Sequence, residues 1–182
     1  VNVASGEILF NNVGGTHSGP FTVASGTKLT LASGPSNTFN AGARVTGDGT
    51  LSVRGTQTAT FNDIVNVGSL DVFGAGIANF NAASAIGAAT VGPAGGTANF
   101  NAASSVGSLH VRGGGTVGGS GDLAVTNLTL NGGILAGTGA MTVSGATLIS
   151  TNATDNPSGT PNQIVGKTVN NAGSLTQTGS DL

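Results

Sequence analysis

The sequence predicts an all-β fold: a right-handed parallel β-helix, or β-solenoid, with triangular rungs of about 19–20 residues. Three observations predict it. The 182-residue chain contains 33 glycines and 7% charged residues, whereas charged residues make up about a quarter of an average globular protein. Apolar and polar residues alternate over short stretches, which is the period of a strand with one buried face. This alternating unit then returns at a nearly constant interval through the middle of the chain.

The repeat is visible as columns of apolar residues. A unit of this length is too short for two packed helices, and an interior glycine costs a helix about 1 kcal/mol. Three short strands joined by glycine-rich corners satisfy the pattern instead. The four columns are Leu51, Leu70, Ala89, Leu109 and Leu128; Val53, Val72, Val91, Val111 and Leu130; Ala59, Ala78, Ala98, Val117 and Ala136; and Val67, Ile86, Val106 and Val125.

The rungs are predicted to occupy residues 1–150, and they are most regular over 50–148. The N-terminal part belongs to the same coil, because the segment Val3-Ala4-Ser5-Gly6 returns one repeat later as Val23-Ala24-Ser25-Gly26. Beyond Gly113 the phenylalanine column is replaced by Gly119 and Thr138, which predicts a thinner rung. Residues 151–166 are predicted to be a loop that interrupts the stack, and residues 167–182 a further rung with an uncapped end.

Phenylalanines of the repeat are expected to stack inside the rod, with alanines two positions earlier leaving room for the rings. The stacked residues are Phe61, Phe80 and Phe100. An asparagine follows each of several phenylalanines, at positions 11, 40, 62, 81 and 101. Two interpretations are open for these asparagines. They form a ladder of amide hydrogen bonds between rungs, or they accommodate left-handed backbone at a turn.

Composition argues against several classes of function. The formal net charge is −2, and none of the basic residues cluster, so we expect no nucleic-acid partner. No run of about 18 apolar residues is present, so no membrane-spanning helix is expected. Cysteine is absent, which fits an exported bacterial or archaeal protein that is stabilised by its repeats. The first residues lack the features of a signal peptide, so we expect that it has been removed or that the chain is an internal fragment.

The motif Gly-[Ser/Thr]-Leu-x-Val-x-Gly occurs three times. Its copies begin at Gly49, Gly68 and Gly107. Over most of residues 20–150 this pattern resembles the β-strand repeats of large bacterial surface proteins, namely autotransporter passengers and filamentous-haemagglutinin-like adhesins. The resemblance implies an extracellular, cell-surface rod, stalk or fibre. It does not specify a ligand or an export route.

An enzyme on such a solenoid needs clustered carboxylates. Here the acidic residues almost never share a column. Asp71 and His110 share an outward column on either side of Thr90, but they lie two rungs apart, about 9–10 Å at the strand spacing. That is too far for a proton-transfer pair. We therefore predict no catalytic, cofactor-binding or metal-binding residues, and no cofactor. A column that contains Thr58, Ile77, Thr97 and Thr116 is explained by β-propensity better than by ice binding.

The expected function is a structural, non-enzymatic extracellular rod segment of a bacterial surface filament or adhesin, with end-to-end self-assembly. The expected partners are other copies of the chain, end to end or laterally, or a glycan or protein of a cell surface or host. The alternative is a carbohydrate-binding or carbohydrate-cleaving β-helix protein.

Overall fold

Each strand pairs in parallel with the equivalent strand of the next repeat, as β9 does with β11 and β11 with β13. A computed structural model describes residues 1–151, 154, 156 and 159–179. These residues form no helix, and their strands are β1 (Asn2–Val3), β2 (Glu7–Asn11), β3 (Gly15–His17), β4 (Phe21–Val23), β5 (Lys28–Ala32), β6 (Asn37–Phe39), β7 (Val45–Arg54), β8 (Thr58–Phe61), β9 (Val65–Phe73), β10 (Ile77–Phe80), β11 (Ser84–Val91), β12 (Thr97–Phe100), β13 (Ser104–Arg112), β14 (Thr116–Gly118), β15 (Leu123–Asn131), β16 (Ile134–Ala136), β17 (Met141–Val143), β18 (Thr147–Ser150), β19 (Gln163–Val165), β20 (Val169–Asn171) and β21 (Leu175–Thr178).

The strands form three ladders, which we call faces, and each face runs along the axis of the stack. Face 1 contains β1, β4, the first parts of β7, β9, β11, β13 and β15, then β17 and β20. Face 2 contains β2, β5, the second parts of the same five long strands, then β18 and β21. Face 3 contains β3, β6, β8, β10, β12, β14, β16 and β19. The predicted all-β parallel solenoid is confirmed.

Three of the four predicted columns are those of the structure, and the third contains an error at its end. Ala59, Ala78, Ala98 and Val117 are paired as expected, but the next member is Leu135 and not Ala136. Gly137, in place of Thr138, then follows Gly119 in the phenylalanine column. The cause is the corner before β16, which is one position shorter than the corner before β14. Because this corner lacks one residue, the positions after it are displaced by one relative to the predicted columns.

Aromatic rings fill the centre of the solenoid, as predicted. The ring centroids of Phe61 and Phe80 lie 5.2 Å apart, and those of Phe80 and Phe100 lie 4.9 Å apart, with nearly parallel planes. Phe39 extends the stack at 4.7 Å from Phe61. His17 occupies the same column one strand earlier, with its ring centroid 4.6 Å from that of Phe39. The stack therefore continues to the N-terminal end of face 3.

The asparagines after three of these phenylalanines form a ladder. The Asn81 side chain donates to Oδ1 of Asn62, and Asn101 donates to Oδ1 of Asn81, both at 2.8 Å. None of these three residues has the positive φ of left-handed backbone. The ladder interpretation is therefore confirmed at these positions. Asn12, which follows Asn11, is the asparagine that adopts left-handed backbone, with φ of 55°.

Glycines form the corner between faces 1 and 2 because consecutive turns approach closely there. A Cβ atom on Gly87 would lie 2.6 Å from the carbonyl oxygen of Gly68. A Cβ atom on Gly107 would lie 2.5 Å from the carbonyl oxygen of Gly87. Real Cβ contacts are not this short, so a side chain at either position would push the ladder apart. These glycines let one strand run unbroken from face 1 into face 2.

The segment that follows β18 rejoins the stack before the end of the loop predicted for residues 151–166. Residues 163–165 fall within the predicted loop of 151–166, but they form β19 and pair with β16 on face 3, so that part of the prediction is corrected. Asn162 anchors the strand because its Oδ1 accepts from the Gly132 amide at 2.6 Å and its amide donates to the Ser150 carbonyl. Strands β20 and β21 lie within the range 167–182. The predicted uncapped end at 180–182 lies outside the described residues.

Candidate binding surfaces

Among the described residues, the outer surface of face 2 carries more charged side chains than that of face 1 or face 3. Alternation along its strands turns apolar residues such as Leu51 and Val53 inward, where they are fully buried. The positions between them point outward. Charged residues occupy five of these outward positions: Glu7, Lys28, Arg54, Asp71 and Arg112. We call this set the charged face.

A small cluster at the N-terminal end of the charged face joins three consecutive strands. The Thr30 hydroxyl donates to Oε1 of Glu7, and Nη2 of Arg54 lies 3.9 Å from the same oxygen. Thr30 is completely buried although it points outward. The structure places Phe73, not Asp71, directly beside Arg54 on the neighbouring strand.

Asp71 lies at the centre of the charged face. Burial raises the pKa of its carboxyl above the usual value, and the positive charges of Lys28 and Arg112 partly oppose this shift. The register confirms that Asp71, Thr90 and His110 share one outward column. Asp71 and His110 are therefore two strand spacings apart, about 9–10 Å. This separation does not allow direct proton transfer.

The carboxylates of the charged face do not have the spacing of a glycosidase pair. Glu7 lies on β2 and Asp71 on β9, three strand spacings apart along face 2. Three spacings correspond to about 14 Å. Inverting glycosidases place their two carboxyl groups about 6.5–9.5 Å apart, and retaining enzymes place them closer still. This spacing therefore matches neither class of glycosidase.

A shallow groove of about 590 Å³ runs along the outside of face 1. Its floor contains Asn66, Ala85 and Ser105, which occupy the same position on three consecutive strands. One wall is the glycine corner, with Asp48 as the charged residue of the lining. The Asn66 side chain is used within the protein, because its Oδ1 accepts from the Ala85 amide at 3.1 Å. The groove is therefore smooth, open and lined by small side chains.

Two further charged residues have structural contacts. Asp63 accepts hydrogen bonds from the Ile64 and Gly42 amides at 2.7 and 2.6 Å. These bonds, assisted by the nearby Arg44, lower the pKa of the Asp63 carboxyl despite a small opposing effect of desolvation. Lys167 is buried, and its Nζ donates to the Gly139 carbonyl at 2.9 Å. Burial lowers the pKa of this amine, and the charge of Asp122 opposes the shift.

Sequence reasoning located the column of Asp71 and His110 but missed the cluster around Glu7. The strands β2, β5 and β7 pair with offsets longer than the repeat of the middle of the chain, as in Glu7 with Lys28 and Lys28 with Thr50. The shorter interval of the middle of the chain does not align them. Among the described residues, no group of three or more His, Asp or Glu side chains could hold a metal ion. The described part of the chain also has no helix that is long and apolar enough to span a membrane.

Comparison of the chain with protein-family models, with curated proteins and with solved structures finds no match. Its function has to be argued from the arrangement of its own residues.

Proposed function

We propose that this chain is a structural, non-enzymatic rod segment of an extracellular filament or adhesin on a bacterial surface. The rod continues by stacking, either on further rungs of the same polypeptide or on another copy of the chain. The resemblance of the Gly-[Ser/Thr]-Leu-x-Val-x-Gly motif to surface-protein repeats supports the extracellular setting.

The observation that carries the proposal is the in-register stack itself, in which each turn covers the core residues of its neighbours. Core residues are buried throughout the middle of the stack, whereas inward residues of the last described strands are more exposed. Leu175 lies in the same column as the buried Leu128, but it is 61% exposed. Ile164 continues the column of the buried Leu135 and is 53% exposed. An added rung would cover these side chains and pair their unpaired backbone groups.

A rod needs a regular core and an inert surface, and the distribution of polar groups fits both. Apart from Asp48 beside the glycine corner, the described charged side chains make structural contacts, as Asp63 and Lys167 do, or are spread along the charged face. Glycine corners and the stacked phenylalanine rings from Phe39 to Phe100 give the middle of the rod a regular core. Such a repeat gains stability with each rung, because every rung buries its neighbours.

Electron microscopy and light scattering of the purified chain test the proposal. We expect rods whose length grows with protein concentration, or, for a longer polypeptide that contains this segment, rods that extend by about 4.8 Å per added rung. Charged substitutions at the exposed core positions of the last rung, such as Leu175→Lys, should suppress growth by the isolated chain. Stable, monodisperse monomers at high concentration whose end residues are covered by their own chain would contradict the proposal.

A carbohydrate-binding or carbohydrate-cleaving β-helix is the second candidate. The charged face supports binding, because Arg54 and Phe73 lie side by side there and could contact a sugar ring and its substituents. A glycan array combined with a lyase and hydrolase screen separates the two candidates. Turnover abolished by Asp71→Asn would favour the enzyme. Glycan binding without turnover would place a ligand on the rod and leave its structural role intact.

A further inference from the structure

The core of the solenoid has a polar exception at the N-terminal end of face 3. In the turns of Phe61, Phe80 and Phe100, an alanine occupies the inward position two residues before the phenylalanine. We call the strands β1–β3 turn 1 and the strands β4–β6 turn 2. Asn37 takes the alanine position in turn 2, and His17 takes the phenylalanine position in turn 1. Asn37 is completely buried, which is costly for an amide unless its polar atoms have partners.

The Asn37 side chain holds β3 at its last residue and just before its first. Its Nδ2 donates to the Val13 carbonyl at 2.9 Å, and Nε2 of His17 lies 3.0 Å from its Oδ1. Because a carbonyl only accepts hydrogen bonds, the amide has to direct Nδ2 toward Val13 and Oδ1 toward the ring. Oδ1 also only accepts, so Nε2 of His17 carries a hydrogen and donates it. The other ring nitrogen, Nδ1, is therefore the one that takes up a proton in acid.

Aromatic rings surround His17. Its ring is stacked on that of Phe10, with centroids 5.5 Å apart and planes 13° from parallel, and it lies 4.6 Å from the ring of Phe39. The ring of Phe21 lies 5.4 Å away and is nearly perpendicular. Aromatic faces attract cations. A hydrogen bond from a charged donor is also about twice as strong as one from a neutral donor. Both effects favour the imidazolium while turn 1 is docked on turn 2.

We propose that Asn37 and His17 form a proton-responsive latch that tightens the docking of turn 1 on turn 2 in acid. Histidine is the side chain whose charge ordinarily changes between about pH 5 and pH 8. Because the docked turn favours the protonated ring, docking strengthens as the pH falls through this range. The latch acts within one chain, so it does not depend on the rod proposed above.

The charged groups nearby have other partners. On β2, Glu7 points outward and accepts from the Thr30 hydroxyl. The amino group of Val1 donates to the Pro20 carbonyl at 2.7 Å, just before β4. The strands β3, β4 and β6 contain no Asp, Glu, Lys or Arg. The partners of the His17 ring are therefore Asn37 and the phenylalanines.

Nitrogen-15 NMR of the imidazole rings tests the hydrogen-bonding arrangement. The chain has two histidines, His17 and His110, and the His17→Phe variant identifies the signals of His17. At about pH 8 we expect Nε2 of His17 to carry the hydrogen, and Asn37→Ala to let the hydrogen occupy Nδ1 as well. A spectrum in which Nδ1 carries the hydrogen in the unaltered chain would overturn the latch.

Hydrogen exchange measures the docking itself. The Gly15 amide donates to the Ser36 carbonyl and reports on contact between turns 1 and 2, whereas the Asn101 amide donates to the Phe80 carbonyl far from the latch. Between about pH 8 and pH 5, after correction for the intrinsic exchange rate, we expect the protection of Gly15 to rise about threefold. The protection of Asn101 should not follow this change. Weaker protection of Gly15 in acid would overturn the proposal.

The later turns supply the matched control, the double variant Asn37→Ala/His17→Phe, which places alanine and phenylalanine at these two positions. Each single variant leaves a polar atom of the other residue without its partner, so we expect the protection of Gly15 to fall about tenfold. The double variant should recover protection but lose the response to pH, with circular dichroism to verify that every variant folds. A double variant that still responds to pH, or that is no better protected than the single variants, would contradict the latch.

Discussion

The side-chain amide of Asn101 donates to Oδ1 of Asn81 at 2.8 Å, although the two residues are 20 positions apart in the chain. They occupy the same position on consecutive turns, and Asn81 in turn donates to Asn62. This ladder lies at the corner between faces 3 and 1, outside the phenylalanine stack. These three turns are thus joined by side-chain amides as well as by backbone pairing.

Asn81→Ala removes the central member of this ladder and both of its side-chain hydrogen bonds. Because a typical hydrogen bond contributes about 0.5–1.5 kcal/mol net, and these are exposed, we expect the free energy of unfolding to fall by about 1 kcal/mol. Urea denaturation measures the change. Asn40→Ala is the matched control, since Asn40 follows Phe39 in the same way but makes no described side-chain bond of this ladder. An equal loss in both variants would argue against the ladder.

Phe80→Ala leaves a cavity between the rings of Phe61 and Phe100. We expect a loss of about 3–5 kcal/mol, as for other fully buried aromatic residues. Phe73→Ala is the comparison, because Phe73 is half-buried and points outward from the neighbouring strand. Its substitution should cost much less. Denaturant midpoints that shift equally would show that the inward and outward positions have been exchanged.

Asp71→Asn should raise the melting temperature at pH 7. Burial raises the pKa of Asp71 in the folded state, so folding favours the protonated carboxyl. Stability therefore falls as the pH rises from the unfolded pKa, about 3.9, through the higher folded pKa. The amide removes this penalty at pH 7, and its advantage should disappear near pH 4. Melting curves at both pH values provide the test, and a lower melting temperature for Asp71→Asn at pH 7 would contradict the assigned cause.

Gly87→Ala adds a Cβ atom 2.6 Å from the Gly68 carbonyl oxygen. The neighbouring turn has to move, and we expect a destabilisation of about 1–3 kcal/mol. Gly19→Ala is the control, because a Cβ atom there meets nothing within 4 Å and its backbone is not left-handed. Chemical denaturation should separate the two variants. If Gly87→Ala were tolerated as well as Gly19→Ala, the corner would be wider than described.

Much of the fold could be predicted because a solenoid repeats its local constraints. Leu51, Leu70 and Leu109 indicate one buried position at a constant interval, and the structure aligns them as expected. Errors arose where a corner changed length. The short corner at Gly132 and Gly133 replaced the expected Ala136 by Leu135. A corner can lose a residue without changing the alternation on either side, so the pattern alone does not reveal it.

The charged face was harder to predict than the core. Its charged residues do not recur at the repeat interval. Contacts between them depend on the register between turns that differ in length. Glu7 and Arg54 are distant in the sequence and meet because two offsets longer than the repeat separate their strands. The raised pKa of Asp71 depends on burial by neighbouring turns, which composition does not show. The extracellular setting, the structural role and the handedness of the coil stay predictions.

Distances between pairs of spin labels test the in-register stack most directly. Thr50 and Ala146 are separated by five strand spacings along face 2, and Thr50 and Ser174 by six. One variant carries labels at Thr50→Cys and Ala146→Cys, and the other at Thr50→Cys and Ser174→Cys. Both should give narrow distance distributions, and the two mean distances should differ by about 4.8 Å. This small difference is informative because the whole segment between β18 and β20 lies between Ala146 and Ser174 in the sequence. Broad distributions, or means that differ by much more than one strand spacing, would contradict a continuous solenoid rod.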